Sequence, residues 1–187
     1  MLNPFRKGAD THPLVVSMTG VKLGERFAQI GCAHGGRLAA VAAKVRLSGR
    51  AVAIVPDAAS AARATDGAAE AGVLVDVEQA PPTRLPLADE GFDLAVIDDT
   101  GGLLRQISAH DRSATGREVW RILRPGGRVM VITSGPPSGI TAWLGRAPED
   151  QPFTAESDLQ TAGFKSVRTL AEREGLIFVE GIKPRPS

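Results

Sequence analysis

Short runs of aliphatic and β-branched residues alternate along this chain with alanine-rich or amphipathic stretches, and that alternation restricts the fold more than any other feature. Strands separated by helices pair in parallel, because each helix carries the chain back to the same edge of the sheet. The strand-like runs are Arg26–Ile30, Ala51–Val55, Val73–Val77, Asp93–Ile97 and Arg128–Ile132. Between them the spacing predicts helices over Arg37–Val45, Ala58–Ala71 and Thr115–Leu123, the last stopped by Arg124-Pro125-Gly126-Gly127. After Ser134 the pattern changes. Gly135-Pro136-Pro137-Ser138-Gly139 reads as a loop and Thr154–Ala162 as a helix. Ser166–Glu172 and Leu176–Ile182 read as strands joined by a tight Glu174-Gly175 turn, which makes them an antiparallel hairpin at the sheet edge. Residues 1–24 form a lead-in with a short helix near Pro13–Met18, and residues 25–184 form the core of one domain spanning 1–187.

A chain of 187 residues with 43% hydrophobic composition is long enough for one well-buried core and short for two. The formal charge of +1 comes without a dense Lys/Arg stretch, so nucleic acid is not expected as a partner. Cys32 stands alone, which excludes an internal disulfide, and neither a signal-peptide run nor a membrane-length apolar stretch is present. A cytoplasmic protein is the expectation. His12, His34 and His110 are scattered and form no zinc-type pair with the cysteine, so no metal is expected.

Chemistry is concentrated in Arg26-Phe27-Ala28-Gln29-Ile30-Gly31-Cys32-Ala33-His34-Gly35-Gly36-Arg37, a strand that breaks into glycines and then a helix. Gly31 and Gly35 let a ligand approach bare main chain, and the following helix aims unpaired N–H groups at it. The same turn also serves any α/β protein that must reverse tightly, and the run alone leaves both readings open. Asp98 and Asp99 follow the fourth strand at the edge where such folds hold ligands. One of them acts as a general base or orients a substrate; the competing reading is a solvated loop acid.

Two further segments carry a resemblance. Leu85-Pro86-Leu87-Ala88-Asp89-Glu90-Gly91-Phe92-Asp93-Leu94-Ala95-Val96-Ile97 and Glu118-Val119-Trp120-Arg121-Ile122-Leu123-Arg124-Pro125-Gly126-Gly127-Arg128-Val129, with the glycine loop, resemble the class I S-adenosylmethionine-dependent methyltransferases over about Glu25–Pro184. The resemblance implies an α/β, Rossmann-like three-layer sandwich whose seven-stranded, mostly parallel sheet has its last strand antiparallel. It implies S-adenosylmethionine as cofactor and methyl transfer to a small-molecule acceptor. A nicotinamide-dependent oxidoreductase fits less well, because the Leu-Arg-Pro-Gly-Gly helix end belongs to the methyltransferase pattern.

Laid on that pattern, the chain departs at the acids. The carboxylate before the first loop glycine becomes Gln29, the middle glycine Ala33, the ribose-binding acid Val55 and the adenine-side acid Pro81. The expected cofactor contacts are therefore Gln29, Gly31, Cys32, Ala33, Gly35, Val55, Asp57 and Asp98, with Asp98 and Asp99 as catalytic candidates. Asp57 either reaches back to the ribose or caps the helix that starts beside it; a carboxylate placed at position 55 is expected to restore the ribose contacts if that anchor is lost, and to gain little if Asp57 already supplies it. The missing acids favour a rival reading, an inactive relative that keeps the fold as a binding or partner-subunit module. His34 is expected in the loop with its ring toward solvent, Cys32 as a small buried hydrophobe, Trp120 in the core and Trp143 as a wall of the acceptor pocket. The short cover implies an open pocket, or one completed by another copy or a partner chain.

Overall fold

The computed structural model describes residues 12–135 and 154–186. Among the described residues, five helices and seven strands alternate: α1 (His12–Thr19), β1 (Arg26–Ile30), α2 (Gly35–Val45), β2 (Arg50–Val55), α3 (Ala58–Ala71), β3 (Asp76–Gln79), β4 (Phe92–Asp99), α4 (Ala109–Ile122), β5 (Leu123–Ser134), α5 (Ala155–Thr161), β6 (Lys165–Arg173) and β7 (Leu176–Ile182). The strands form one sheet in the order β3-β2-β1-β4-β5-β7-β6. All lie parallel except β7, which pairs antiparallel with β5 on one side and β6 on the other. This is the Rossmann-like sheet expected from the sequence.

Alternation along the strands divides the core in two. One layer packs Phe27, Ala53, Val55, Leu94 and Val96 against Val15 of α1, Leu38 and Val41 of α2 and Ala64 of α3. The other packs Ala28, Ile54, Ala95 and Ile97 against Val119 and Ile122 of α4 and Leu159 of α5. Every central strand is thus buried on both faces, which is why its sequence reads as continuously apolar.

Helix ends explain where the boundaries differ from expectation. The backbone of Gly72 is left-handed (φ 64°) and Val73 N–H reaches back to Ala68 O at 3.0 Å, so Val73 belongs to the α3 cap and β3 begins at Asp76. Helix α4 begins at Ala109 rather than Thr115, because the Ser108 hydroxyl accepts Asp111 N–H (3.1 Å) while donating to the Asp111 carboxylate (2.9 Å). Its C-terminus runs directly into β5, whose register with β4 breaks between Phe92 and Leu94 where Pro125-Gly126-Gly127 bulges. Strand β4 extends to Asp99, so Asp98 and Asp99 are strand residues and not the start of a loop.

The two motifs that carried the resemblance fold as one unit. Glu118 accepts Leu85 N–H (2.7 Å), while Arg121 donates to Leu85 O (3.0 Å), Leu87 O (2.7 Å) and the Asp89 carboxylate (2.6 Å). Helix α4 thereby holds the approach to β4 in place. Trp120 is half-buried under the ammonium of Lys183, 3.9 Å from its ring, and that buried lysine also donates to Leu123 O.

Candidate functional site

Connections from β1 run to one side of the sheet through β2 and β3, and β4 then returns to the other flank of β1. In a parallel sheet such a reversal opens a crevice beyond the carboxyl ends of the two flanking strands, here β1 and β4. Ile30 leads there into Gly31, whose φ of +80° suits glycine and whose N–H donates to Ile54 O at 2.8 Å. A Cβ on Gly31 would lie 2.9 Å from Leu103 Cδ2 and 3.0 Å from the Asp98 carbonyl oxygen. The turn therefore requires glycine on two counts.

Asp98 organises this turn. It is buried, and Oδ2 accepts Ala33 N–H (2.8 Å) while Oδ1 accepts both Thr100 N–H (3.2 Å) and the Thr100 hydroxyl (2.6 Å). The Thr100 hydroxyl in turn accepts from Arg37 (3.1 Å). Three donors satisfy both carboxylate oxygens, tying the β1–α2 loop to the end of β4. Gln29 is equally internal, its amide donating to Gly31 O at 3.0 Å. Cys32 is buried beneath the loop, and burial together with the Asp98 charge pushes its thiol up to about 11, so it is a poor nucleophile.

Asp99 differs from its neighbour. Oδ1 accepts Leu104 N–H at 2.6 Å, Oδ2 is buried with no hydrogen-bond partner, and Arg105 Nε stands 3.8 Å away. Burial raises its carboxyl above the ordinary carboxylate range. Neither aspartate is a solvated loop acid.

The second-strand end departs from expectation. Asp57 is the N-cap of α3, accepting Ser60 N–H (2.7 Å) and the Ser60 hydroxyl (3.2 Å); these bonds hold its carboxyl below the usual range. Val55 is wholly buried in the α1–α3 layer with Ala53, Cys32 and Ala64. A carboxylate there would enter the apolar core and not the crevice. Val55→Asp is therefore expected to destabilise the fold by about 3 to 5 kcal/mol, read as a lower urea midpoint, in place of tightening a ligand.

Gly35 also has a different reason for being glycine. It is helical, not left-handed, and a Cβ would collide with the Arg63 carbonyl oxygen and come within 3.1 Å of Gly67 Cα. Its bare backbone faces α3, so its lack of a Cβ serves helix packing. His34 is the N-cap of α2 without a side-chain capping bond; partial burial and the neighbouring Arg37 lower its pKa. Trp143 and the Pro136–Gly139 loop lie outside the described residues.

Sequence reasoning missed Arg63. From α3 its Nε donates to Cys32 O (3.0 Å) and its Nη2 to the Ser60 hydroxyl (2.8 Å). The available signal was its place, three residues after Ser60 and six after the capping Asp57, in a helix otherwise rich in alanine. The crevice between Gly31, Ala33, Asp57, Arg63, Asp98 and Leu103 encloses about 140 Å³. A larger cavity of about 720 Å³ lies at the amino end of the sheet near Arg46, Leu47 and Leu74, where Arg50 is paired with Asp76. The buried carboxylates and the glycine turn are at the carboxyl end, so the smaller crevice is the candidate site. Among the described residues no cluster of His, Cys, Asp and Glu could hold a metal, and no helix is long and apolar enough to cross a membrane.

Residues 28–131 match the family of the methyltransferase domain. A comparison with curated proteins finds no match. Among solved structures, an S-adenosylmethionine-dependent methyltransferase from Aquifex aeolicus superposes with a TM-score of 0.72 at 18% identity, covering 97% of this chain and 94% of that one. The [4+2]-cyclase SpnF superposes at 0.65 with 19% identity, covering 94% and 80%. YcgJ from Bacillus subtilis does so at 0.60 with 16% identity, covering 94% and 99%. At these identities the structural likeness concerns the fold.

Proposed function

Because this chain belongs to the methyltransferase domain family, with S-adenosylmethionine as its cofactor, we propose that it transfers the methyl group to a small-molecule acceptor at the crevice between β1 and β4. The observation that carries this reading is the glycine turn at Gly31: a left-handed residue without Cβ at the switch point, its bare face toward Leu103 and the Asp98 backbone. The sulfonium supplies its own leaving group. What remains for the protein is to hold the nucleophile in line with the methyl carbon and exclude water.

Roles follow from what each residue has free. Gly31, Cys32 and Ala33 offer main chain at the start of α2, and Asp98 keeps that main chain in position. Gln29 sits beneath the turn without a charge to offer. Asp99 is the better candidate for a base, because its Oδ2 accepts no hydrogen bond, with Arg105 Nε 3.8 Å away, and its burial favours proton uptake. Asp57 and the Ser60 hydroxyl are engaged in the α3 cap and with Arg63, so ribose hydroxyls are left to the crevice backbone.

Isothermal titration with S-adenosylhomocysteine tests the assignment. The wild-type protein is expected to bind; Gly31→Val is expected to lose stability and, measured where circular dichroism still shows a folded chain, to weaken binding at least a hundredfold. Equal affinity in the two proteins would overturn the site.

A further inference from the structure

A crevice of about 140 Å³ is smaller than the roughly 300 to 1,000 Å³ that sites for cofactor-sized ligands provide. Two side chains, Arg63 and Leu103, line it from opposite sides of the glycine turn. Arg63 reaches across from α3, donating Nε to Cys32 O at 3.0 Å and Nη2 to Ser60 Oγ at 2.8 Å. Ser60 is itself held by the capping carboxylate of Asp57, so Asp57, Ser60, Arg63 and the Cys32 carbonyl form a continuous strap over one side of the glycine turn. From the other side Leu103 lies against the bare face of Gly31, where a methyl group in place of the glycine hydrogen would meet Leu103 Cδ2 at 2.9 Å. Leu103 follows Gly101 and Gly102, the latter left-handed at φ +80°. The loop's far side is pinned by Leu104 N–H on Asp99 and by Arg105 on Ser134 O.

The main chain that should meet a ligand is thus covered by the protein's own side chains. Gly31 O receives Gln29 and Cys32 O receives Arg63, so both loop carbonyls already have internal donors. We propose that Arg63 and Leu103 are intramolecular competitors for the cofactor: the protein rests closed, and S-adenosylmethionine binds only after the Arg63 strap releases Cys32 O and Leu103 leaves Gly31. This rests on the crevice being the cofactor site. Arg63 is exposed and its two bonds are only partly buried, so the closed state is favoured modestly, and ligand affinity is lowered by the fraction of molecules that are open.

Binding kinetics on immobilised protein, with S-adenosylhomocysteine as probe, separate this device from a ligand contact. Arg63→Ala is expected to raise the association rate constant about tenfold with little change in dissociation, because the competitor is lost and no ligand contact is. Leu103→Ala should act in the same direction, by about threefold. Arg63→Lys, which keeps the charge but not the fork, should fall between wild type and Arg63→Ala. Faster dissociation in Arg63→Ala, or unchanged association in both alanine variants, would overturn the proposal. A separate result overturns the cofactor assignment and the competition with it: no binding at millimolar probe in wild type or any variant, all of them folded by circular dichroism.

Discussion

Gly35→Ala is expected to destabilise the protein by more than about 3 kcal/mol, a large share of the roughly 5 to 15 kcal/mol that holds a domain folded. In an exposed helix the same change would stabilise by about 1 kcal/mol, because alanine is the better helix former. Here the opposing effect is larger. The new methyl would meet the Arg63 carbonyl oxygen and stand 3.1 Å from Gly67 Cα, and both are backbone atoms that no rotamer change can remove. Gly67 faces the same contact from α3, its own Cβ falling 2.6 Å from Gly35 Cα, so the two helices touch main chain to main chain. Overpacking at such a place forces α2 and α3 apart. Gly36→Ala is the internal comparison. Its methyl meets the His12 ring, a side chain and not backbone, and the loss should be smaller than for Gly35→Ala. Urea unfolding of the three proteins checks this through the midpoint at constant m. A Gly35→Ala midpoint at or above wild type would show that the helices are not in main-chain contact.

Asp98→Ala is expected to lose about 3 to 5 kcal/mol of stability together with measurable binding of S-adenosylhomocysteine. The substitution strands the N–H groups of Ala33 and Thr100, and a buried donor left unpaired costs roughly 1 to 3 kcal/mol. Asp98→Asn keeps one oxygen for Thr100 but turns an amide N–H toward Ala33 N–H, donor against donor. It should therefore fall between wild type and alanine, at about 2 kcal/mol. The distinction from a purely catalytic carboxylate is in the readout: equilibrium binding and the unfolding midpoint both shift, with no acceptor substrate required. If Asp98→Asn binds the probe as wild type does and unfolds at the same urea concentration, the turn is held by something other than this carboxylate.

The sheet was legible because parallel strands buried on both faces must be apolar throughout, and Arg26–Ile30 and Ala58–Ala71 have in the structure the boundaries that the sequence pattern implies. Two of the misplaced boundaries share one cause. Val73 resembles the start of a strand because it is β-branched, yet the left-handed Gly72 takes it into a helix cap. Ala109–Ala114 is polar for the opening of a helix, yet Ser108 and Asp111 cap it. At both ends a hydrogen bond across three to five residues outweighs local propensity.

At the candidate site the residues were legible and their directions were not. Gly31, Asp98 and Asp99 are marked by type and position, and all three stand at the carboxyl edge of β1 and β4. Sequence alone could not tell Asp98 from Asp99. Adjacent strand residues face opposite sides of the sheet, so one is saturated by the glycine turn and the other lies under Leu104. Position 55 illustrates the same limit, because the family pattern puts a ribose contact on a side chain that the pleat turns into the core. The chain's pattern of apolar runs, glycines and caps determined which strands form and that the first five lie parallel, since those depend on residues near one another. Which glycine opens onto the crevice and which onto a helix, and that Arg63 lies across the turn from 31 positions away, depend on contacts between segments that only packing brings together.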